Sequence, residues 1–226
     1  MQVTYLGHGC IQVQLQQKTL LFDPFISPNA LASHIDVDAL NPDYILVTHG
    51  HEDHIADVER IVKNSGAKLI SNFEIISWFG TKGIEGHPMN HGGSWTFDFG
   101  TVKMVNAVHS SGLPDGSYGG NPAGFIIEAE EGCFYFAGDT ALHEDMKLIP
   151  LFFDLDFAVL PIGDNFTIGI DEAIKAAEFV KVKKIMGMHY DTFPYIEIDK
   201  AIARQKFEDA GLELMLVEIG DLIDIK

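Results

Sequence analysis

Apolar and polar residues alternate along the first part of the chain. Between residues 11 and 16, aliphatic side chains occupy every second position and glutamines occupy the others, which predicts a strand with one face on the core and one face in water. A second apolar run, residues 20–22, ends at Asp23 and Pro24. Residues 44–47 are apolar throughout and follow the turn signal of residues 41–43, so they predict a strand that is buried on both faces.

The pattern then changes to helical spacing. Ile55, Val58, Ile61 and Val62 recur every three or four positions, and the pattern stops at Gly66. This spacing predicts an amphipathic helix that ends at a glycine. A buried strand is therefore followed by a helix that covers it.

Short β-like runs punctuated by glycines fill the middle of the chain. They lie at residues 95–97, 102–108, 125–129 and 134–136. Their length and spacing predict a β-meander.

Helices and strands alternate in the last third. Asp171 is a candidate cap for a helix whose apolar stripe begins at Ile170, and another helix is expected from about Glu197 to Ala210. Strands are expected at residues 184–188 and 212–217. The whole pattern predicts an α/β sandwich with helices packed outside its sheets. Because no Pro/Ser-rich linker or fixed-period repeat divides the sequence, residues 1–226 are expected to form one domain.

The charge balance narrows the class of partner. Fifteen Lys and Arg residues stand against 33 Asp and Glu residues, which gives a net charge of −18. Such a surface repels phosphate backbones. A small molecule is therefore the expected partner, and nucleic acid is disfavoured.

Compartment and assembly depend on weaker signals. Cys10 and Cys133 form no CxxC pair and are expected to be buried apolar side chains in a reducing cytoplasm. No secretion signal is expected at the N-terminus, and aspartates and prolines interrupt the most apolar stretch, residues 148–162, so no membrane span is expected. Phe73 and its neighbours in an apolar helical face are expected in the core or in a subunit interface, which leaves a homo-oligomer as an open alternative.

The densest chemistry lies at residues 48–54, which read Thr-His-Gly-His-Glu-Asp-His, between the predicted buried strand and the amphipathic helix. Neutral imidazole and carboxylate are ligands that zinc and similar divalent metals prefer. His49 and His51 are two positions apart in an extended segment and point to one side, whereas Asp53 and His54 fall on the following turn. One segment can thus serve two neighbouring metal ions.

Three further candidate ligands follow apolar runs elsewhere in the chain. They are His109, Asp139 and His189. Since ligands converge at the carboxyl edge of α/β sheets, we expect these side chains to meet the first cluster.

The seven residues, in this order, resemble the signature of the metallo-β-lactamase superfamily, HxHxDH followed by a distant His, Asp and His. The resemblance covers nearly the whole chain and implies an αββα sandwich, in which two mixed sheets are flanked by helices and metals lie at one edge. It implies one metal site formed by His49, His51 and His109, a second formed by Asp53, His54 and His189, and a bridging Asp139.

Other segments look like a bacterial family of metal-dependent hydrolases within this superfamily. These segments are residues 6–10, 89–93, 138–140 and 189–194. That family is similar to the ascorbate-6-phosphate lactonases and the N-acyl-phosphatidylethanolamine phospholipases. The resemblance identifies the catalyst better than its reaction.

The expected activity is hydrolysis of a small ester, lactone or phosphoester by a hydroxide bound at a dinuclear centre. Two dications about 3.5–4 Å apart lower the pKa of a shared water toward ~7; zinc is expected, with manganese, nickel or iron as alternatives. Asp139 is expected to offset the repulsion between the metals, and Asp53, itself a ligand, to accept or relay a proton. Because two dications outweigh two aspartates in charge, a small anionic substrate is expected.

Two other functions stay open on the sequence. A nuclease of this fold would use the same ligands, but the acidic chain lacks a basic stripe. A non-hydrolytic di-iron or metal-binding protein is the other alternative. The di-iron oxidases of this fold usually carry a His-x-Glu-x-Asp pattern, and this sequence has His51 at the position of that carboxylate, a difference that favours hydrolysis.

Weaker site candidates lie outside the signature. His8, between two glycines, is expected either to orient the substrate or a metal ligand, or to cap a turn. Asp164 and Asn165 follow an apolar strand and are expected either to line the pocket or to form a helix-entry loop. The polar segment 110–123 is expected to be either a lid over the metal edge or an ordinary connection.

Overall fold

Two seven-stranded sheets form the centre of the molecule. The computed structural model describes residues 1–16 and 18–225. The first sheet contains β1 (Gln2–Gly7), β2 (Cys10–Leu15), β3 (Lys18–Phe22), β4 (Tyr44–Leu46), β5 (Lys68–Asn72) and β6 (Gly86–Met89). The second contains β7 (Ser94–Phe97), β8 (Gly100–Asn106), β9 (Ala123–Ala129), β10 (Gly132–Phe136), β11 (Phe157–Pro161), β12 (Lys184–Met188) and β13 (Glu213–Met215). The chain then returns to the first sheet with β14 (Leu222–Asp224), which pairs with β1.

Each sheet is antiparallel in one half and parallel in the other. The order β14-β1-β2-β3 is antiparallel, and β3-β4-β5-β6 is parallel. In the second sheet β7 to β10 form the predicted meander, and β10 to β13 are parallel. The predicted class, two mixed sheets flanked by helices, is confirmed.

The parallel halves require crossover connections, and the α-helices lie in these connections. The helices are α1 (Glu52–Ile55), α2 (Val58–Ser65), α3 (Phe73–Gly80), α4 (Ile170–Phe179) and α5 (Lys200–Asp209). Short 3-10 helices lie at Ala30–Ala32, Val37–Ala39, Glu144–Leu151 and Pro194–Ile196. Among the described residues, no helix combines the length and the apolar character that crossing a membrane requires.

The helix expected after β4 is divided into α1 and α2. The N–H of Asp57 donates to the carbonyl of Pro24 at 3.1 Å, whereas a continuous helix would direct it to the carbonyl of Asp53. The Asp57 carboxylate also accepts hydrogen bonds from the backbone of Ile26 and Ser27. Tertiary hydrogen bonds therefore interrupt the predicted helix, while its end at the left-handed Gly66 is as predicted.

The predicted starts of the last two helices were wrong by a few residues. Gly169, and not Asp171, precedes α4. The Gly169 N–H donates a hydrogen bond to the Glu172 carboxylate. Asp171 lies in the first turn and pairs with Lys206. The helix expected from Glu197 begins at Lys200, because the Asp199 carboxylate accepts hydrogen bonds from the second and third residues of α5.

Three apolar layers stabilise this arrangement. Between the sheets, the Phe134 ring lies 5.9 Å from that of Phe22 and 4.9 Å from that of Phe157. A second layer joins the first sheet to α1, α2 and α3, and a third joins the second sheet to α4 and α5. Cys10 and Cys133 are free and buried, as predicted. The predicted apolar face of α3 divides, with Phe79 in the core and Phe73 60% exposed.

The substitution Phe134→Ala is expected to lower the free energy of unfolding by about 3–5 kcal/mol, because it leaves a cavity between the sheets. Phe152→Ala is the control, since Phe152 is 78% exposed and its loss is expected to change stability by less than about 0.5 kcal/mol. Urea unfolding followed by circular dichroism measures both values. Equal losses in the two variants would contradict this account of the core.

Candidate metal centre

The segment 48–54 connects the end of β4 to the start of α1. Its backbone is extended at His51, with φ −65° and ψ 146°, and becomes helical at Glu52. The direction of the side chains therefore changes within the segment. His49 and His54 are buried, and Asp53 is partly exposed.

The second sheet contributes three more side chains. His109 follows β8, Asp139 follows β10 and His189 follows β12, and these strands run in the same direction. Asp139 Oδ2 lies 3.5 Å from His109 Nε2 and 3.0 Å from His189 Nε2. The carboxyl ends of three strands thus meet at one edge, beside the segment from the first sheet.

Asp139 lies between two groups of candidate ligands. The first group is His49, His51 and His109, and the second is His8, Asp53, His54 and His189; in each group the ligand atoms lie within 4.8 Å of one another. Asp139 Oδ2 is 3.9 Å from His49 Nε2 in the first group and 3.3 Å from His54 Nε2 in the second. The structure therefore brings together all seven residues of the sequence signature and adds His8 to the second group.

Unpaired buried atoms indicate that the cluster fits a metal. Within the described part of the chain, His54 Nε2, His189 Nε2 and Asp139 Oδ1 are buried without a hydrogen-bond partner, and such atoms cost about 1–3 kcal/mol each. Ligand atoms around a tetrahedral zinc lie roughly 3.3 Å apart when each is about 2 Å from the metal. The distances of 3.0–3.9 Å around Asp139 Oδ2 match this spacing.

The protonation states of His49, His51 and His109 also suit metal ligands. Burial lowers the pKa of His49, His51 and His109, and the neighbouring His54 lowers these pKa values further, so the three imidazoles stay neutral and keep a free lone pair. Burial alone would raise the pKa of Asp139, but the charges of His189 and His54 hold it well below its ordinary range. An ionised carboxylate therefore lies between the neutral imidazoles of the first group and the His54 ring, whose pKa the Asp139 and Asp23 carboxylates raise against the effect of burial.

Asp23, directly after β3, orients the rings of His49 and His54 through hydrogen bonds on the side away from Asp139. Its fully buried carboxylate accepts hydrogen bonds from Thr48 N at 2.8 Å, Thr48 Oγ1 at 2.6 Å and His54 Nδ1 at 2.9 Å. Because the hydroxyl proton of Thr48 goes to Asp23, Thr48 Oγ1 accepts from His49 Nδ1, 2.9 Å away. Both rings are thereby held with Nε2 toward Asp139.

Asp23 is not among the site residues that the sequence pattern predicts. An aspartate followed by a proline after a strand is typical of an ordinary turn. The left-handed backbone of Asp23, with φ 41°, is the feature that distinguishes it, because a non-glycine residue in this region is uncommon and often lies near a functional site. The left-handed backbone of Asp23 can be seen only in the structure and not in the sequence.

His8 lies beside Asp53. Its Nε2 is 3.1 Å from Asp53 Oδ2, and its Nδ1 is 3.0 Å from Thr192 Oγ1. Burial, followed by the nearby His189, lowers the pKa of His8 to about 4, so its ring is neutral. Of the two roles expected from the sequence, these contacts favour orientation of a ligand over capping of a turn.

A cavity of about 470 Å³ opens beside the cluster, and Phe166, Phe193 and Tyr195 are part of its lining. Asp164 and Asn165 are not among the described residues that line it. Both have left-handed backbone, with φ 62° and 56°, and the Asn165 N–H donates to the Asp164 carboxylate. They form the turn that precedes Phe166, so the structure places that ring, and not the two polar side chains, at the pocket.

The segment 110–123 is anchored at several points. Asn72 Nδ2 donates to the carbonyl of Gly119 at 2.7 Å, and Ser111 Oγ accepts from Gly50 N at 3.0 Å. Trp78 Nε1 donates to the Asp115 carboxylate at 2.6 Å. These bonds favour a fixed connection over a moving lid.

Comparison with known proteins identifies relatives along the whole chain. A family model described as the beta-lactamase superfamily domain matches residues 18–190. A UPF0173 metal-dependent hydrolase from Flavobacterium johnsoniae is 53% identical, and one from Christiangramia forsetii is 54% identical, each over 100% of both chains. Among solved structures, Igni18, a metallo hydrolase from the hyperthermophilic archaeon Ignicoccus hospitalis, has a TM-score of 0.89 and 32% identity, covering 98% of this chain and 97% of its own.

The substitution Asp23→Asn is expected to weaken zinc binding by about 10–100-fold, because an amide cannot accept all the hydrogen bonds that orient His54 and Thr48. Asp57→Asn is the matched control, since Asp57 is also buried but receives its hydrogen bonds from the backbone of Ile26 and Ser27. Competition with a chromophoric chelator measures zinc affinity, and circular dichroism verifies folding. If the two variants bind zinc equally well, Asp23 does not orient the ligands.

Proposed function

The chain belongs to the beta-lactamase superfamily and to its metal-dependent hydrolases, and from this membership we propose that it hydrolyses a small ester, lactone or phosphoester with two divalent metal ions. The observation that carries the proposal is the position of Asp139 Oδ2, within 3.9 Å of imidazole nitrogens of both ligand groups. A carboxylate in this position is suited to bridging two cations. Zinc is the metal that imidazole and carboxylate ligands favour, and manganese, nickel or iron are alternatives.

His49, His51 and His109 would hold the first ion, Asp53, His54 and His189 would hold the second, and Asp139 would be shared between them. When bound, the ions supply a water that is activated at neutral pH and polarise the oxygen under attack. In ester hydrolysis the water oxygen forms a bond to the acyl carbon, the acyl C–O bond breaks, and a proton goes to the leaving alkoxide. The products are a carboxylic acid and an alcohol.

Asp53 is the residue that we propose to move this proton. Its side chain is 29% exposed and lines the cavity. Burial opposes ionisation, but the hydrogen bond from His8 and the charge of His54 hold the pKa of Asp53 below its ordinary range. The carboxylate is therefore ionised, lines the cavity beside the ligand cluster, and is fixed by His8.

The compartment proposed for this reaction is the cytoplasm. Cys10 and Cys133 are buried free thiols, and free thiols are typical of a reducing environment. The acidic composition, with a net charge of −18, supports a small substrate over a polyanion.

Removal of metal by a chelator is expected to abolish hydrolysis, and added zinc or manganese is expected to restore it. Asp139→Asn is expected to lower kcat/KM by about 10²-fold or more, because it removes the bridging charge. Asp164→Asn is the matched control, since Asp164 is exposed at the same sheet edge and does not ligate in the proposed site. Activity that persists in Asp139→Asn, together with full metal content by elemental analysis, would refute the bridging role.

The nuclease alternative is tested with the same zinc-loaded preparation at fixed ionic strength. Hydrolysis of p-nitrophenyl acetate, γ-butyrolactone or bis-p-nitrophenyl phosphate is expected to exceed cleavage of duplex DNA or structured RNA by more than about tenfold. Any nucleic-acid cleavage is compared with that of Asp139→Asn, which corrects for contaminating nucleases. Efficient cleavage that disappears in the variant would replace the small-substrate proposal with a nuclease.

A further inference from the structure

An aromatic wall stands on one side of the metal cavity. Phe166 and Tyr195 line it, with ring centroids 6.2 Å apart and planes at 75°. Phe193 also lines it and packs against His8 at 5.4 Å and Phe25 at 6.3 Å. The aromatic wall, defined as Phe166, Phe193 and Tyr195, thus continues from the buried His8 to the surface.

Two rings of this wall are exposed to solvent. Phe166 is 49% exposed and Tyr195 is 75% exposed. Exposed apolar side chains grouped beside a polar cluster are typical of a ligand surface, since they gain from burial only when a ligand covers them. The two rings lie on turns from different parts of the chain, before α4 and after β12, so the fold brings them together at the pocket.

The described lining of the cavity contains no lysine or arginine. Lys200 lines a different depression and pairs with Asp191, and Lys206 lines another and pairs with Asp171. Sites that recognise phosphate or carboxylate groups usually hold them with arginine or lysine side chains. A charged group of the substrate that lies away from the metal ligands would find only aromatic rings, Pro194 and Ser110.

From the aromatic wall and the absence of lysine and arginine in the described lining, we propose that the substrate is an uncharged carboxylic ester or lactone with an aromatic group close to its carbonyl. That aromatic group packs against Phe166 and Tyr195. This inference rests on the hydrolase function proposed above and selects one class among its substrates, in place of the anionic substrate expected from charge alone. Hydrolysis by water converts the uncharged ester into a carboxylate, an alcohol and a proton.

The test uses three ethyl esters that share the leaving group and the methylene next to the carbonyl: ethyl 3-phenylpropanoate, ethyl butanoate and monoethyl succinate. With zinc-loaded protein, kcat/KM for the phenyl ester is expected to exceed that for each of the other two by at least about tenfold, because only the phenyl ring covers the exposed aromatic side chains. Equal or faster hydrolysis of monoethyl succinate would overturn the inference and leave the hydrolase function intact.

Variants of the wall identify the residues responsible. Phe166→Ala and Tyr195→Ala are each expected to reduce the preference for the phenyl ester over ethyl butanoate by about fivefold to tenfold. Tyr195→Phe is expected to retain the preference, because the ring remains. Phe152→Ala is the control, since Phe152 is 78% exposed and lines a different groove. An unchanged preference in both alanine variants would contradict the proposal.

A binding measurement separates failure of this inference from failure of the hydrolase function. Calorimetric titration compares 3-phenylpropanamide with succinamate on the zinc-loaded protein and on Tyr195→Ala. Tighter binding of the phenyl amide, lost in the variant, supports the inference even if no ester is hydrolysed, and in that case the hydrolase proposal alone fails. If the phenyl amide does not bind more tightly and no ester is cleaved, both proposals are overturned.

Discussion

The carboxylate of Asp23 accepts hydrogen bonds from Thr48 and His54, and through the Thr48 hydroxyl it also fixes the ring of His49. His49 and His54 belong to different ligand groups, so one residue outside the metal signature sets the orientation of both. Burial raises the pKa of Asp23 in spite of the hydrogen bonds from His54 and Thr48. The site therefore depends on an Asp23 carboxylate whose ionised form is poorly solvated. The hydrogen bonds from Thr48 and His54 offset this cost of desolvation, and the same bonds hold the rings of His49 and His54 in place.

Two glycines beside the ligand cluster lie in close contact with neighbouring segments of the chain. A Cβ on Gly138 would lie 2.8 Å from the side chain of Thr48, and a Cβ on Gly163 would lie 2.1 Å from the carbonyl of His189. Gly138 directly precedes Asp139 and has left-handed φ of 63°, which glycine adopts without strain. The Thr48 carbonyl also accepts a hydrogen bond from Ala123 N in the second sheet. Gly138 thus allows the two ligand-bearing edges to meet, and Gly163 allows the loops after β11 and β12 to pack closely within the second sheet.

Local pattern was enough to predict the framework and the seven clustered residues. Segment 48–54 joins a buried strand to a helix, and His109, Asp139 and His189 each follow an apolar strand. Because ligands gather at the carboxyl edges of α/β sheets, these positions were enough to predict that the side chains lie together. The division of the helix at Asp57 and the start of α4 were not predictable in this way, because hydrogen bonds to Pro24 and Glu172 decide them. The strands β5, β6 and β14 were also missed, since their short sequences have little periodic signal.

Stability and the proposed choice of substrate depend on different parts of this molecule. The candidate ligands follow buried strands whose packing holds the two sheets together, whereas Phe166 and Tyr195 lie on exposed turns that contribute little to the core. Evolution can therefore exchange the exposed rings without disturbing the metal centre. Relatives that keep all seven clustered residues but differ at positions 166 and 195 would share the chemistry and not the substrate. The inference about the aromatic wall thus makes the residues at those two positions a better guide to substrate than overall sequence identity.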